Sequence, residues 1–299
     1  MGDSRRMEIS LALIGFGEAG AAFAGGLAAG LRGYDRKTDI AATRAGKRAD
    51  FERAGVTACD TAPAALSGAS AVLSLVTADQ ALAAAEANAG LSSGALWFDM
   101  NSVAPDTKRA AAAIVEAAGG RYVDVAVMAP VNPKQTAVPL LVSGDHAAEG
   151  AALLRKIGFR NVTVSAGPVG TASAIKMIRS VMIKGIEALS AECVLAADAA
   201  GVRDAVVASL DASWPGADWG RRFDYNLDRM LVHGQRRAAE MEEVVKTLDG
   251  LGAGSAMSRA TVVRQRAIGD LAIDPPDGLD AKLAALAPFS RSSDTDAAA

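Results

Sequence analysis

Short apolar segments alternate with longer amphipathic segments through the first half of the chain. The apolar run at 9–14 predicts a first strand, which a glycine-rich turn and a helix at 21–29 follow. A second strand is predicted to end at Tyr34-Asp35. Strands that alternate with helices predict βαβ units and a mainly parallel sheet. Further strands are predicted at 56–58, 71–76, 95–99, 122–127, 140–142 and 162–164, with helices such as 43–54, 80–89 and 105–118 between them.

The pattern changes after Gly167-Pro168. From Thr171 to about Ala200 one long stretch without proline predicts a helix, and the later segments are typical of helices and loops. We therefore predict an α/β domain at 1–168 and an all-α C-terminal domain at 169–287. Residues 288–299 are rich in Ser, Asp and Ala and lack a core-forming pattern, so they are predicted to be a disordered tail.

Composition narrows the class of protein. The net charge of −3 argues against nucleic acid as a partner, because neutralising phosphates requires a surplus of basic residues. No apolar run is long enough to predict a membrane span. The two histidines are too few and too far apart for a metal site. Cys59 and Cys193 lie far apart and outside any CxxC pattern, which favours free thiols and a cytoplasmic location.

The glycine-rich turn has the spacing of a dinucleotide-binding motif. Gly15-Phe16-Gly17-Glu18-Ala19-Gly20 reads GxGxxG, directly after a predicted strand and at the start of a predicted helix. Gly15 permits a tight turn, Gly17 allows the backbone to approach a pyrophosphate, and Gly20 allows helix and strand to pack closely. The N–H groups at the start of the helix favour an anion there. The first domain is therefore predicted to be a Rossmann domain that binds a nicotinamide dinucleotide through this turn.

The end of the second strand bears on the choice of cofactor. Asp35 lies 20 residues after Gly15, where an acidic side chain hydrogen-bonds the adenosine ribose of NAD. Its charge would repel the 2′-phosphate of NADP, which favours NAD. Arg36 and Lys37 follow directly and would attract that phosphate, so NADP stays the alternative.

Three later motifs accompany the glycine turn in a distinctive order. They are Asp99-Met100-Asn101-Ser102-Val103-Ala104-Pro105, Asp124-Val125-Ala126-Val127-Met128-Ala129-Pro130, and GPVGTASAIKMIRS at 167–180. With the glycine turn they resemble the β-hydroxyacid dehydrogenases, which include 3-hydroxyisobutyrate, tartronate-semialdehyde and 6-phosphogluconate enzymes. The first is similar to the family's D-x-S-T-x-x-P loop, the second stands in place of its D-A-P-V-S-G-G, and the third resembles the segment with its catalytic lysine. The resemblance covers most of the chain and implies a divergent branch with its own C-terminal helical domain.

The resemblance implies roles for individual residues. Lys176 would be the general acid–base residue, taking the hydroxyl proton as hydride leaves and returning it in reduction. An unperturbed lysine, with a pKa of about 10.4, is a poor base, so the role requires burial and the nearby positive nicotinamide. Asn101 and Ser102 would contact the nicotinamide, Ser102 would also contact substrate, and Val76 and Thr77 would line the ring.

Two departures from the family pattern concern the substrate. Met128-Ala129-Pro130 stands where the family grips substrate with Ser-Gly-Gly, and Pro130 has no N–H to offer a carboxylate. Ser180 replaces an asparagine that orients the substrate, on the same helical side as Lys176. These positions are still the candidate substrate contacts, but the departures weigh against a small hydroxy acid.

The helical half contains a candidate substrate-binding histidine and a cluster of aromatic residues with two possible roles. His233 is a candidate substrate-binding residue, whereas Arg236 and Arg237 beside it are expected to form salt bridges. A cluster of aromatic residues either lines a pocket for an aromatic substrate or packs a core or interface, and packing is the commoner role. The cluster comprises Trp214, Trp219, Phe223 and Tyr225.

The resemblance implies an enzyme that acts on CH–OH groups. It would transfer hydride reversibly between NAD(P) and a small-molecule hydroxy acid or related, including aromatic, alcohol or carbonyl compound. A homodimer through the helical domain is also implied. Two alternatives stay open. Imine reductases resemble the same family, but they generally lack the catalytic lysine, so Lys176 argues against them. A dinucleotide-binding sensor without turnover would suit the altered third motif.

Overall fold

The computed structural model describes residues 9–27, 30–91 and 93–292. The chain divides into two units, 1–177 and 178–299. The first unit ends inside the long helix that was predicted to begin the second domain. The predicted domain bounds at 168 and 287 stay predictions.

A single sheet forms the centre of the first unit. Its strands are β1 (Leu11–Ile14), β2 (Leu31–Tyr34), β3 (Thr57–Ala58), β4 (Ala71–Ser74), β5 (Leu96–Asp99), β6 (Arg121–Val127), β7 (Pro139–Ser143) and β8 (Asn161–Val164). The strand order is β3-β2-β1-β4-β5-β6-β7-β8. Neighbouring strands are parallel except β6 and β7, which form an antiparallel pair.

Helices cover both faces of this sheet. They are α1 (Glu18–Ala24), α2 (Ala41–Arg53), α3 (Ala62–Leu66), α4 (Ala81–Asn88), α5 (Pro105–Ala117) and α6 (Ala147–Ile157). Successive side chains of a strand point to opposite faces. Accordingly, Leu13 packs in one core cluster with Phe23, whereas Ala12 packs in another with Trp97. Burial on both faces explains why the inner strands β1, β4 and β5 are almost wholly apolar.

The second unit is helical throughout its described part. It comprises the continuation of α7 (Thr171–Ala199) together with α8 (Arg203–Ser213), α9 (Trp219–Gly250), α10 (Ala256–Gly269) and α11 (Leu279–Ser292). Its core contains Phe223, Leu227 and Met230 of α9, with Ile268 of α10 and Leu286 of α11.

The predicted class, a Rossmann domain followed by an all-α domain, is confirmed. Two local predictions need correction. The first helix ends at Ala24 rather than at 29, because Gly25 and Gly26 follow and glycine is a poor helix former. Residues 288–292, predicted as part of a disordered tail, belong to α11, while 293–299 lie outside the described residues. Among the described residues, no helix is both long and apolar enough to cross a membrane.

Candidate active site

The register of the parallel strands aligns their carboxyl ends at one edge of the sheet. Ile14 pairs with Ser74, Ser74 with Asp99, and Asp99 with Asp124. The glycine turn and the segments 75–77 and 100–102 therefore emerge from neighbouring strands at the same edge. Ligands of open α/β sheets bind at this edge, where the strand order reverses.

The glycine turn has the geometry that a dinucleotide site requires. Gly15 has a φ of +88°, and a Cβ there would lie 2.7 Å from the carbonyl oxygen of Leu75. By contrast, a Cβ on Gly17 would meet no atom within 4 Å, so this glycine leaves open space beside the backbone. The residues present therefore fit a pyrophosphate at this turn. At Gly20 a Cβ would lie 3.0 Å from the ring of Phe16, so the absence of a side chain here leaves space for that ring.

Asp35 lies against the same turn. One carboxylate oxygen accepts a hydrogen bond from the Phe16 N–H at 2.7 Å, and the other accepts from the Lys37 N–H at 2.9 Å. The guanidinium of Arg36 donates to the side-chain oxygen of Gln80. The predicted acid thus stands beside the glycine turn, and each of its oxygens retains a lone pair for a ribose hydroxyl.

Lys176 and Ser102 come together at this edge. The Lys176 Nζ donates a hydrogen bond to the Ser102 Oγ, although the two residues are 74 positions apart. Both side chains are half-buried. Lys176 lies in the second turn of α7, and Ser102 lies in the loop after β5. The structure therefore joins the two residues that the motifs single out for chemistry.

Lys108, Asp99 and Asp124 form a buried ionic network next to the segments that carry Ser102 and Lys176. The Lys108 Nζ lies 3.0 Å from the Asp99 Oδ1 and 3.5 Å from the Asp124 Oδ1, and all three side chains are at most 1% exposed. Tyr122 donates its hydroxyl to the Asp99 Oδ2 at 2.6 Å. Burial, and then the Asp99 carboxylate, raise the pKa of Tyr122 well above its usual range, so its hydroxyl stays a donor.

The network fixes the start of α7. The Asp124 Oδ2 accepts hydrogen bonds from the Gly170 N–H at 3.0 Å and the Ser173 N–H at 3.1 Å. A carboxylate at a helix N-terminus satisfies orphan N–H groups and opposes the positive end of the helix dipole. The Ser143 Oγ accepts from the Ala172 N–H at 2.9 Å. These bonds hold the helical turn that precedes Lys176.

The same network holds the loop that carries Ser102. The Asp99 Oδ1 accepts hydrogen bonds from the backbone N–H and the side-chain amide of Asn101, at 2.9 and 2.8 Å. The Ser173 hydroxyl donates to the carbonyl oxygen of Val103. The loop is thus bonded to Asp99 and the start of the helix to Asp124, and Lys108 links these two carboxylates. Together with the bond between Ser173 and Val103, this network fixes Ser102 relative to Lys176.

Two known family models match parts of this chain. A model described as the NAD binding domain of 6-phosphogluconate dehydrogenase matches residues 10–167, more than half of the chain. The chain belongs to the β-hydroxyacid dehydrogenase family. A second model, described as a domain of unknown function, DUF1932, matches 197–268. The resemblance drawn from the four motifs is confirmed, including the separate C-terminal helical domain.

Solved structures agree with this assignment. A conserved hypothetical protein from Sinorhizobium meliloti 1021 is 38% identical, with a TM-score of 0.74, over 95% of this chain and 97% of that one. Mycobacterium tuberculosis 3-hydroxyisobutyrate dehydrogenase, solved with L-serine, is 16% identical over 94% and 99%, with a TM-score of 0.69. Streptomyces aurantiacus imine reductase is 22% identical over 93% and 99%, with a TM-score of 0.56. The last two share the fold. A search of the curated proteins finds no match.

The other predicted contacts lie in different environments. Val76 is half-buried and Thr77 exposed, just beyond β4. Asn101 is 5% exposed and also donates to the Ser74 Oγ at 3.0 Å, so in this structure it holds the loop. Met128-Ala129-Pro130 follows β6 directly, with Pro130 exposed. Their contacts with cofactor or substrate remain predictions.

Ser180 and His233 belong to the second unit. Ser180 is buried on α7, and His233 is half-buried on α9. Nearby, the Arg237 Nε donates to the Glu187 Oε2 at 2.9 Å, and both side chains are buried. The salt bridge expected at Arg237 is confirmed. The roles of Ser180 and His233 with substrate remain predictions.

The aromatic cluster formed by Trp214 and the first part of α9 is partly a packing element. Phe223 is 1% exposed in the core of the second unit, and its ring centroid lies 5.6 Å from that of Trp219. Trp214 stacks edge-on against Trp219 at 5.8 Å but is 56% exposed, and Tyr225 is 58% exposed. Phe223 and Trp219 therefore pack in the core of the second unit, whereas the rings of Trp214 and Tyr225 are exposed at its surface.

Sequence reasoning missed Lys108 as part of this site. Lys108 lies on α5, where a lysine in an amphipathic pattern predicts a solvated face. One signal was present in its partners, because Asp99 and Asp124 are acidic residues with apolar neighbours on both sides in buried strands. A buried carboxylate requires a partner, so two of them on neighbouring strands indicate a hidden cation.

Gly17 allows a prediction that separates cofactor binding from stability. In Gly17→Ala we expect the affinity for NADH to fall about tenfold or more, because the added methyl group occupies the open space of the turn. The melting temperature should change little, since an N-cap alanine costs only about 1 kcal/mol. NADH fluorescence titration and thermal melting measure the two effects. If the folded variant binds NADH as tightly as wild type, the turn is not part of the dinucleotide site.

Tyr34, the last residue of β2, allows a prediction about pH. Burial raises the pKa of Tyr34 to about 12, and its 2.5 Å hydrogen bond to the Asp39 Oδ2 acts in the same direction. Its stabilising contribution is therefore complete below about pH 10 and is lost as the pH rises through the folded pKa. At about pH 11 we expect equal phenolate absorbance from wild type and Tyr34→Phe. If the variant instead loses the absorbance of one tyrosine, the hydroxyl is not protected.

Proposed function

We propose that this protein is an oxidoreductase that transfers hydride between NAD and a hydroxy acid, or a related aliphatic or aromatic alcohol–carbonyl pair. The observation that carries the proposal is the hydrogen bond from the Lys176 Nζ to the Ser102 Oγ, at the sheet edge that bears the glycine turn. A candidate acid–base group must be held within hydrogen-bond reach of the reacting atoms. The buried carboxylates hold both residues in place, because Asp124 accepts a hydrogen bond from the start of α7 and Asp99 accepts one from the loop that carries Ser102.

The proposed mechanism gives Lys176 the proton. The nicotinamide, when bound, accepts or supplies the hydride. During alcohol oxidation the neutral Lys176 Nζ takes the hydroxyl proton, and during reduction the protonated Nζ gives a proton to the carbonyl oxygen. The Ser102 Oγ orients the Nζ by accepting one of its hydrogen bonds and keeps a hydroxyl proton to donate to a substrate oxygen. The Asp99 and Asp124 carboxylates and Lys108 hold this pair in place.

We propose NAD rather than NADP as the cofactor. The Asp35 carboxylate lies at the end of β2 and would oppose a 2′-phosphate. The adjacent Arg36 is engaged with Gln80, although Lys37 leaves a positive charge nearby. Titration of both reduced dinucleotides tests this choice, with tighter binding of NADH as the expected result. Tighter binding of NADPH would indicate instead that Arg36 and Lys37 bind the 2′-phosphate.

We also propose a homodimer formed through the helical unit, as is usual in the family. Ile178, Met182 and Leu189 of α7 are 48, 63 and 55% exposed, and their spacing places them on one helix face. An apolar stripe of this kind is typical of a surface that another copy covers. Sedimentation of the wild-type protein as a dimer, and of Met182→Glu as a monomer, would support the interface. A monomeric wild type would reject it.

A panel of substrates tests the proposed reaction. The purified protein is given 3-hydroxy acids, aryl alcohols, ketones and imines, each with NAD and NADP in both redox states, while nicotinamide absorbance is followed. Turnover of an alcohol or carbonyl compound with NAD is the expected result. Turnover of imines alone would favour an imine reductase, whose fold this chain shares. Bound dinucleotide without turnover of any compound would favour a sensor.

A further inference from the structure

The backbone of Phe16, the second residue of the glycine turn, is held by charged side chains from two directions. Its N–H donates to the Asp35 Oδ2 at 2.7 Å, and its carbonyl oxygen accepts from the Lys47 Nζ at 2.7 Å. Its ring is buried and stacks on Phe51 of α2, with the centroids 4.1 Å apart. A surface turn is thus fixed by a carboxylate, an ammonium group and an aromatic stack.

Lys47 is itself held in place from within α2. Asp50, one turn further along the helix, accepts a hydrogen bond from the Lys47 Nζ at 2.8 Å. That hydrogen bond holds the pKa of the Asp50 carboxyl below its usual range, so the carboxylate stays ionised at neutral pH. The Lys47 side chain is 12% exposed, which restricts it to this arrangement.

The Lys47 contact sets the direction of the next N–H. In a planar trans peptide, the carbonyl oxygen of Phe16 and the N–H of Gly17 point in opposite directions. With the oxygen drawn to Lys47, the Gly17 N–H is turned away from the ammonium group. This N–H has no hydrogen-bond acceptor among the described residues, and the space beside Gly17 is open.

We propose that Lys47 is a positioning residue for the dinucleotide, which fixes the Phe16–Gly17 peptide so that the Gly17 N–H is presented to the pyrophosphate. Asp35 and Asp50 complete the clamp, the first at the Phe16 N–H and the second at the Lys47 Nζ. Lys47 acts through the backbone and does not itself contact the cofactor. The inference rests on the proposed dinucleotide site but is independent of Lys176 and of the substrate.

Arg53 provides a matched control. A groove of about 420 Å³ borders the turn, and Lys47, Asp50 and Arg53 all line it. Arg53 also pairs with Asp50, but no hydrogen bond joins it to the turn among the described residues. Arg53→Met therefore removes a positive charge from the same groove and the same helix while leaving the Phe16 carbonyl bonded.

The test compares ligands with and without a pyrophosphate. ADP-ribose and NADH affinities are measured by titration, and adenosine affinity by ligand-observed NMR, with melting temperatures to verify folding. In Lys47→Met we expect ADP-ribose and NADH to bind about tenfold more weakly, with adenosine unchanged. Arg53→Met should bind all three like wild type. Lys47→Arg should recover most of the affinity, because a guanidinium can also donate to the Phe16 carbonyl.

Other outcomes would overturn the inference. Equal losses in Lys47→Met and Arg53→Met would show a general effect of positive charge. An equal loss for adenosine and ADP-ribose would show a general disturbance of the domain. If Lys47→Met does not fold, Lys47→Arg and Asp50→Asn are tested in its place. A folded Lys47→Arg variant that binds ADP-ribose and NADH more weakly, with adenosine unchanged, would show that Lys47 does not act through its hydrogen bond to the Phe16 carbonyl oxygen. If wild type binds no dinucleotide, the proposed function itself fails.

Discussion

Replacing Lys176 with methionine is expected to lower turnover by about 10²- to 10⁴-fold, the usual contribution of a general acid–base group. The affinity for NADH should change little, because the pyrophosphate is expected at the glycine turn, whereas the Lys176 Nζ bonds the Ser102 Oγ. Methionine keeps an unbranched apolar stem in a half-buried position, so the fold should survive. Steady-state kinetics on the best substrate of the panel, with NADH titration alongside, measures both effects.

Two further variants separate proton transfer from charge. Lys176→Arg keeps the positive charge, but a guanidinium does not give up its proton at neutral pH, so this variant should be as inactive as the methionine variant. Lys156→Met is a matched control, because Lys156 is an exposed lysine of α6 in the same unit. Substantial activity in Lys176→Arg would assign the lysine a purely electrostatic role, and full activity in Lys176→Met would place the acid–base group elsewhere.

Gly234→Ala is expected to destabilise the second unit by about 3 kcal/mol or more, as severe overpacking does. A Cβ at Gly234 would lie 2.4 Å from the carbonyl oxygen of Gln265 and 2.6 Å from the Cα of Gly269. The opposite substitution meets the same obstacle, since a Cβ at Gly269 would lie 2.6 Å from the backbone nitrogen of Gln235. Helices α9 and α10 therefore cross with their backbones in contact, and neither can yield by a change of rotamer.

A second glycine of α9 supplies the control. A Cβ at Gly220 would lie 3.9 Å from Val207, an ordinary van der Waals distance, so Gly220→Ala should keep or raise stability through its better helix propensity. Urea unfolding followed by circular dichroism compares the two variants. If Gly234→Ala unfolds at the same urea concentration as wild type, the close crossing of α9 and α10 is not real.

The parts of the site that sequence could predict are those that depend on local order. Gly15, Gly17 and Gly20 are recognisable because a strand, a turn and a helix follow one another within a few residues. The end of β5 at Asp99 is likewise marked by an apolar run that ends in a polar residue. Helix and strand periodicity are local properties, so the fold class follows from them.

The remaining features depend on contacts between distant segments. The Lys108 Nζ reaches Asp124 only because β5 and β6 are neighbours and α5 packs over them. Nothing near Lys47 in the sequence indicates that its ammonium group will bond the carbonyl oxygen of Phe16, 31 residues earlier. Similarly, Gly234 lies in the middle of a helical pattern that shows no reason for a glycine until α10 is placed against it.

The buried network explains how one edge of the sheet holds a fixed lysine. Two carboxylates and one ammonium group are costly to bury, and such a group of charges contributes little net stability. Its hydrogen bonds, however, run to both the loop of Ser102 and the start of α7. The network therefore gives the Lys176–Ser102 pair a defined geometry, which is what preorganisation for proton transfer requires.

Transfer of deuterium tests the central claim most directly. NADH carrying deuterium at both positions of C4 of the nicotinamide ring is incubated with the wild-type protein and a mixture of carbonyl compounds, and the products are analysed by mass spectrometry. We predict an alcohol product that carries one deuterium on the former carbonyl carbon, formed by wild type and about 10²- to 10⁴-fold more slowly by Lys176→Met. Tight binding of NADH without deuterium in any product would contradict hydride transfer by this protein.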